Sequence, residues 1–320
     1  MSAERVLAIS PRKAGTHLLQ QLMVRLGYGI YGETVPPEAG RAAFSLRERQ
    51  RLAERFADPA EFDGIDVRRD TEEFIRRTDL LLIQLGWIWQ MRLAARNLSN
   101  VQVSQPDADF TLKMAPEAWT RPFREGPSRL CWIFHSVDIW RMDPLFLEEW
   151  IREGEPRMVL NHRDPRDTLV SMVDFFAGEG GLKFLRYPES ATFGPIFQNI
   201  PDRADRITYA LRDPALPLMA DYEAAISLLY HPKVADVSFE DLVGPSGGGS
   251  RDRQMEATRR VAEHLESDVD PERVVDDLFD RSAFSFHKGR IGRWRDVFTA
   301  EHEAMFNDRF GHLLEVFGYA

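Results

Sequence analysis

Cysteine is almost missing from this chain: Cys131 is the single one in 320 residues. No internal disulfide is possible, and a cysteine-rich zinc centre is excluded. Within Leu130-Cys131-Trp132-Ile133-Phe134 that lone thiol reads as a packing residue. Long hydrophobic runs are missing too. The richest stretch, Leu80 to Leu85 followed by Gly86-Trp87-Ile88-Trp89, is too short and interrupted to span a bilayer. The N-terminus shows no apolar segment of signal-peptide length, so the expectation is a cytoplasmic protein without a membrane span. Positive charge is in deficit: 41 Lys and Arg stand against 51 Asp and Glu, a net charge of −10. That argues against broad nucleic-acid binding but leaves room for a local pocket of focused cations. The Walker pattern G-x-x-x-x-G-K-[ST] does not occur, which disfavours an ordinary ATPase or GTPase. Internal repeats are not seen.

What is present suffices for a large core. Hydrophobic residues make up 43% of the chain, compatible with one large α/β domain or two smaller ones. Val6-Leu7-Ala8-Ile9 has the pattern of a buried parallel strand. Helical spacing follows from Thr16 to Gly27 through Leu18, Leu19, Leu22, Met23 and Leu26. Leu130–Phe134, Met158–Leu160 and Val234–Phe239 read as further strands, while Asp167–Phe176 and Met219–Tyr230 read as helices. From about Ile30 to Asp109 the chain looks helical and polar. Alternating strands and helices predict a three-layer α/β/α fold with a mainly parallel central sheet. Gly244-Pro245-Ser246-Gly247-Gly248-Gly249-Ser250 reads as a mobile loop within a single domain spanning residues 1–320.

Three segments carry the chemistry. Ser10-Pro11-Arg12-Lys13-Ala14-Gly15-Thr16-His17 joins the first strand to the first helix. A helix N-terminus there offers unpaired N–H groups and a favourable dipole to an anion. Ala14 and Gly15 are small enough to let a phosphate approach, Lys13 adds charge and Thr16 a hydroxyl; the bland alternative is a turn that merely contains Lys and Gly. Arg163-Asp164-Pro165-Arg166-Asp167 follows a strand, with Ser171 eight residues after Arg163. Two helical turns can bring Arg163 and Ser171 to one side, and a guanidinium fork suits a phosphate. The alternative is a solvated charge cluster. His287-Lys288-Gly289-Arg290-Ile291-Gly292-Arg293-Trp294-Arg295-Asp296-Val297-Phe298-Thr299 supplies a third anion grip near the C-terminus.

Together these segments resemble the sulfotransferases that use 3′-phosphoadenosine 5′-phosphosulfate (PAPS), of the cytosolic type and among them the bacterial small-molecule enzymes. The family loop Pro-Lys-Ser-Gly-Thr-Thr is matched at Lys13, Ala14, Gly15 and Thr16, with Arg12 as a one-residue insertion and His17 in place of a Thr. Arg-(Asn/Asp)-Pro-(Arg/Lys)-Asp with its following Ser fits Arg163 to Ser171 without a gap. Lys-Gly-x-x-Gly-x-Trp-(Lys/Arg)-x-x-Phe-Thr is matched in full from Lys288 to Thr299, with His287 where Arg is usual. Phe239-Glu240-Asp241 is similar to the family's Tyr-Glu-Asp segment.

The resemblance implies a sulfotransferase fold with a P-loop-like phosphosulfate loop. It implies sulfonate transfer from PAPS to a hydroxyl, or less readily an amine, of a small molecule, leaving 3′-phosphoadenosine 5′-phosphate (PAP) and calling for no metal. Lys13 would stabilise the leaving phosphate, and Arg163 and Ser171 would hold the 3′-phosphate. The cofactor set it implies is Lys13, Ala14, Gly15, Thr16, His17, Arg163, Ser171, Phe239, His287, Lys288 and Gly289. Phe284 or Phe286 are further candidates to stack on the base. His135, ending an apolar run before Arg163, is the favoured catalytic base; in a second register Lys113-Met114-Ala115 overlies that motif and Glu117 takes its place. Residues 30–128 match poorly and are assigned to a helical cap over the acceptor, where Trp87, Trp89, Trp119, Phe123 and Trp140 could line an aromatic or lipophilic pocket or simply form core. The family's dimer stretch is met by Arg295, Thr299 and Ala300 but by Ala304 at its Glu, which leaves the oligomeric state open. Two rival readings are a small-molecule kinase and a PAPS-binding protein without catalysis.

Overall fold

The computed structural model describes residues 4–31, 44–96, 112–126, 128–138, 140–178, 188–217, 219–276, 278 and 289–320, without the side chains of Tyr31, Ile83, Trp87, Ala95, Arg96, Phe123 and Pro188. Its strands are β1 (Arg5–Ile9), β2 (Gly29–Tyr31), β3 (Ala95–Arg96), β4 (Leu130–Phe134), β5 (Ser136–Val137), β6 (Arg157–His162) and β7 (Val234–Ser238). The α-helices are α1 (Thr16–Arg25), α2 (Leu46–Phe56), α3 (Thr71–Arg92), α4 (Pro144–Glu153), α5 (Pro165–Ala177), α6 (Pro188–Asn199), α7 (Arg203–Arg212), α8 (Ala220–Ala225), α9 (Phe239–Leu242), α10 (Arg251–His264), α11 (Pro271–Asp276) and α12 (Ala300–Val316).

Five strands form one parallel sheet in the order β2-β4-β1-β6-β7. β1 lies at its centre because Val6, Leu7, Ala8 and Ile9 are all fully buried, as a strand covered on both faces must be. Their side chains alternate. Val6 and Ala8 pack with Leu19, Leu22 and Met23 of α1 and Val261 of α10 on one face. Leu7 and Ile9 pack on the other, in the core that holds Leu85 and Trp89 of α3, Val173 of α5 and Phe306 of α12. The result is the three-layer α/β/α arrangement.

From β1 the chain moves to β2 and back to β4 on one side, then to β6 and β7 on the other. Such a reversal opens a crevice at the C-terminal ends of the strands. There the register aligns Ile9 with Phe134 and with Leu160, and His162 with Ser238. Ser10, His135, Arg163 and Phe239 therefore each follow the end of one of four adjacent strands.

Three local readings need correction. The polar, helical segment expected from about Ile30 opens with β2, which pairs in the sheet with β4. The helix expected over Met219–Tyr230 is only α8 plus a 3-10 turn at Ile226–Leu228. The glycine patch expected to be a mobile loop is instead a packed turn: Gly249 N–H donates to Gly244 O at 2.8 Å, and Gly247 O accepts from Ile291 N–H at 3.2 Å. A Cβ on Gly247 would stand 2.4 Å from Gly289 O, so only glycine lets these two backbones meet.

Candidate functional site

The first loop is fixed from below. Ser10 N–H extends the β1–β4 ladder to Phe134 O at 2.8 Å, and Ala14 N–H turns back to Pro11 O at 3.0 Å. Asn161, buried in β6, donates through Nδ2 to Ser10 Oγ at 3.0 Å and to Ala14 O at 2.9 Å. Lys13 has φ 66° and Gly15 φ 106°, a left-handed geometry that glycine adopts at little cost. Gly15 caps α1 without any side-chain hydrogen bond, so the first turn keeps the donors and dipole that suit an anion. Ser10 Oγ and Thr16 Oγ1 lie 3.1 Å apart. Lys13 Nζ rests 3.7 Å from the centroid of the Phe175 ring. His17 pairs through Nδ1 with Gln20 Oε1 at 2.9 Å, and burial lowers its pKa.

Arg12, the apparent insertion, is a buried strut. Its Nε donates to Asp221 Oδ2 at 2.6 Å, its own N–H reaches the same oxygen at 3.2 Å, and Nη2 reaches Pro217 O at 3.1 Å. It ties the loop to α8. Reading the sequence alone missed this pairing, because 209 residues separate its partners.

The second and third segments interlock through two carboxylates. Asp167, wholly buried on α5, accepts from Arg163 Nη2 at 3.1 Å and from the backbone N–H groups of Gly292 at 2.8 Å and Trp294 at 2.9 Å. Asp164 caps α5 at Arg166 N–H and accepts from Trp294 Nε1 at 3.0 Å. Arg166 lies over the Trp294 ring at 4.0 Å. The solvated-cluster alternative for these charges thus fails: Arg163, Asp164 and Asp167 are all buried. Arg163 also donates to Arg290 O at 2.8 Å, and its guanidinium lies 4.4 Å from the Phe239 ring centroid. Its buried Nε has no partner among the described residues.

Phe239, the expected adenine contact, is buried between Arg163 and Gly15; a Cβ on Gly15 would stand 2.6 Å from its ring. Ser171 sits on α5 midway between Asp167 and Phe175, four residues from each and so on one face. That face joins the arginine to the ring beneath Lys13. Gly289 is described with φ 46°; His287 and Lys288, like Phe284 and Phe286, lie outside the described residues.

His135 ends β4 beside the loop. Its Nδ1–H donates to Ser10 O at 2.9 Å, which leaves Nε2 as the unprotonated nitrogen. Burial drives its pKa down to about 4, with Asp221 opposing and Arg12 and Lys13 adding to the depression. The imidazole is therefore neutral and in the tautomer a base requires. Glu117, the other candidate, is exposed in a 3-10 turn at Pro116–Trp119, and Lys113 of the same register pairs with Asp58 at 2.6 Å.

The aromatic residues expected over an acceptor separate. Trp89 is core: it stacks on Phe146 at 5.2 Å and is fully buried. Trp119 and Trp140 are exposed. The side chains of Trp87 and Phe123 lie outside the described set. The segment of residues 30–128 meets the site where β3 pairs antiparallel with β5, directly after His135, and its Arg92 bonds to Asp143 at 2.6 Å.

A solved structure similar to this chain is the mouse sulfotransferase SULT7A1 complexed with PAP. It shares 13% identical residues at a TM-score of 0.50, over 99% of this chain and 89% of that one. The chain has the sulfotransferase fold. No family model matches it, and neither does any curated protein.

Proposed function

We propose that this protein transfers a sulfonate group from PAPS to a hydroxyl, or less readily an amine, of a small-molecule acceptor. The observation that carries the reading is the convergence on one crevice of three anion-suited segments that lie far apart in sequence. Asp167 bonds at once to Arg163 and to the backbone of Gly292 and Trp294. The residues fit a ligand phosphorylated at both ends: α1 begins without a side-chain cap at one point, and at another the buried Nε of Arg163 has no partner among the described residues.

In this reading the loop N–H groups of Ala14 to Thr16 and the Lys13 ammonium hold the phosphosulfate. Arg163 and Ser171 hold the 3′-phosphate, with His287, Lys288 and Gly289 as further cofactor contacts. His135 Nε2 accepts the acceptor's proton as its oxygen bonds to sulfur and the bond from sulfur to the bridging oxygen breaks. Charge gathers on that oxygen, where Lys13 and the helix dipole oppose it. Preplaced electrostatics of this kind is worth about 10²–10³ in rate per donor, and a positioned base a further 10²–10⁴. Residues 30–128 would cover the acceptor, within a single domain.

The test is a mass-spectrometric acceptor screen with PAPS, run on the protein and on Lys13→Ala. Sulfonated product from the first and none from the second, with PAP still bound by both, is expected. Tight PAP binding with no product from any acceptor would leave a nucleotide-binding protein without catalysis.

A further inference from the structure

We infer that Tyr319 and Glu240 are positioning residues for Arg163, setting the direction of its grip on a 3′-phosphate. The inference rests on the role given to Arg163 above. Neither residue touches the nucleotide in this account; they act on the Asp164 N–H, the peptide group that follows the arginine.

Tyr319 follows α12 and folds back against the end of β6. Its hydroxyl donates to Glu240 Oε2 at 2.8 Å and receives His162 Nδ1 at 3.0 Å. The other carboxylate oxygen, Glu240 Oε1, accepts from Asp164 N–H at 3.1 Å. The carbonyl of Tyr319 accepts from Arg166 Nη2 at 2.9 Å. One turn of chain thus holds Asp164, immediately after Arg163, and the arginine that covers Trp294. Phe317 backs the remaining two groups: its ring packs edge-on to Tyr222 at 5.2 Å, and Tyr222 Oη donates to Arg163 O at 2.9 Å while receiving Arg163 N–H at 3.3 Å.

The peptide groups on both sides of the Arg163 Cα are consequently fixed by side chains from outside its own strand. The guanidinium itself lies on Phe239, the residue next to Glu240. A shift of Glu240 would move both ends of the arginine, its peptide and its ring support. The arrangement meets the first loop only where the Phe239 ring lies against Gly15; the polar supports of that loop are Asn161 and Arg12. Loss of the Tyr319–Glu240 bond, which leaves the Phe239 ring in place, should therefore be felt much more at the 3′-phosphate than at the 5′-phosphate.

That separation gives the test. Calorimetric dissociation constants for PAP and for adenosine 5′-monophosphate, which lacks the 3′-phosphate, are measured on the protein, Tyr319→Phe and Glu240→Gln. Tyr319→Phe keeps the ring against His162 and removes only the hydroxyl. The expected result is about tenfold weaker PAP binding by Tyr319→Phe, the scale of one hydrogen bond to a charged group, with adenosine 5′-monophosphate changed less than about twofold. Glu240→Gln, which retains an acceptor, should move PAP in the same direction by less. Equal losses for both nucleotides would mark a merely structural role, and unchanged PAP binding would remove any role; either overturns the inference. If the unsubstituted protein binds the two nucleotides equally, the 3′-phosphate role of Arg163 fails first.

Discussion

The strand-end crevice and the cap around α2 and α3 are stabilised by different means. In the crevice, buried polar groups bond to one another: Asp167, Arg163, Asp164 and Asn161 are all almost inaccessible to water. The region around α2 and α3 packs Phe56, Leu85 and Trp89 into the main core, and the ion pairs Arg69–Asp70 and Arg76–Glu73 lie on its surface. Buried polar groups need specific partners at specific places, whereas an apolar interface tolerates many residues of similar size. The crevice is therefore written in short recognisable segments, and the region around α2 and α3 is not.

Two substitutions break the contrast most strongly. Asp167→Ala strands a buried arginine and two backbone N–H groups, and should cost about 3–5 kcal/mol in urea unfolding while abolishing measurable PAP binding. Trp89→Ala removes a large core ring and should cost a similar 3–5 kcal/mol, yet leave PAP affinity unchanged in the fraction that stays folded. Equal damage to PAP binding by both would erase the distinction between the regions.

Next in size is the effect of acid. The pKa of His135 is depressed to about 4 in the folded chain against about 6.5 when unfolded. Below pH 6.5 the unfolded chain therefore takes up a proton that the native chain refuses. The resulting stability is complete above pH 6.5 and falls by about 3 kcal/mol as pH drops towards 4. His135→Gln should flatten that slope in urea unfolding between pH 6.5 and 4.5. The same depression keeps the imidazole basic well below pH 6.5, so the acid limb of kcat/KM should lie under that value.

Gly15→Ala sharpens the picture of the loop. Its φ of 106° and the 2.6 Å approach to Phe239 should make the methyl group cost about 1–3 kcal/mol and weaken PAP binding, read by calorimetry. Smallest is Arg76→Ala on the cap. The pair it forms with Glu73 at 2.7 Å is solvent-exposed, and its loss should change stability by under about 1 kcal/mol.

Legibility followed the same division. β1, β4, β6, α1 and α5 were readable because continuous apolar runs and helical spacing mark buried elements. β2 was not, since three residues beside a longer helical pattern carry too little periodicity. By composition the glycine patch reads as loose; the approach of Gly289 explains Gly247, and positive φ explains Gly244 and Gly248. Spacing pairs Arg163 with Ser171, but the burial of Arg163 and the bridging role of Asp167 are invisible in the sequence, as are the distant partners Asp221 for Arg12 and Tyr319 for Glu240. Trp89 drew attention as a pocket residue because a tryptophan near other aromatics reads alike in a core and in a binding site.

The central claim is that the crevice is built for a nucleotide carrying phosphates at both its 3′ and 5′ ends. The most direct measurement is the calorimetric affinity for PAP set against that for magnesium-ATP under the same conditions. PAP binding at least about tenfold tighter is the expected result, the least that one additional charge-assisted phosphate contact supplies. Magnesium-ATP binding as tightly as PAP, or displacing it, would contradict the account.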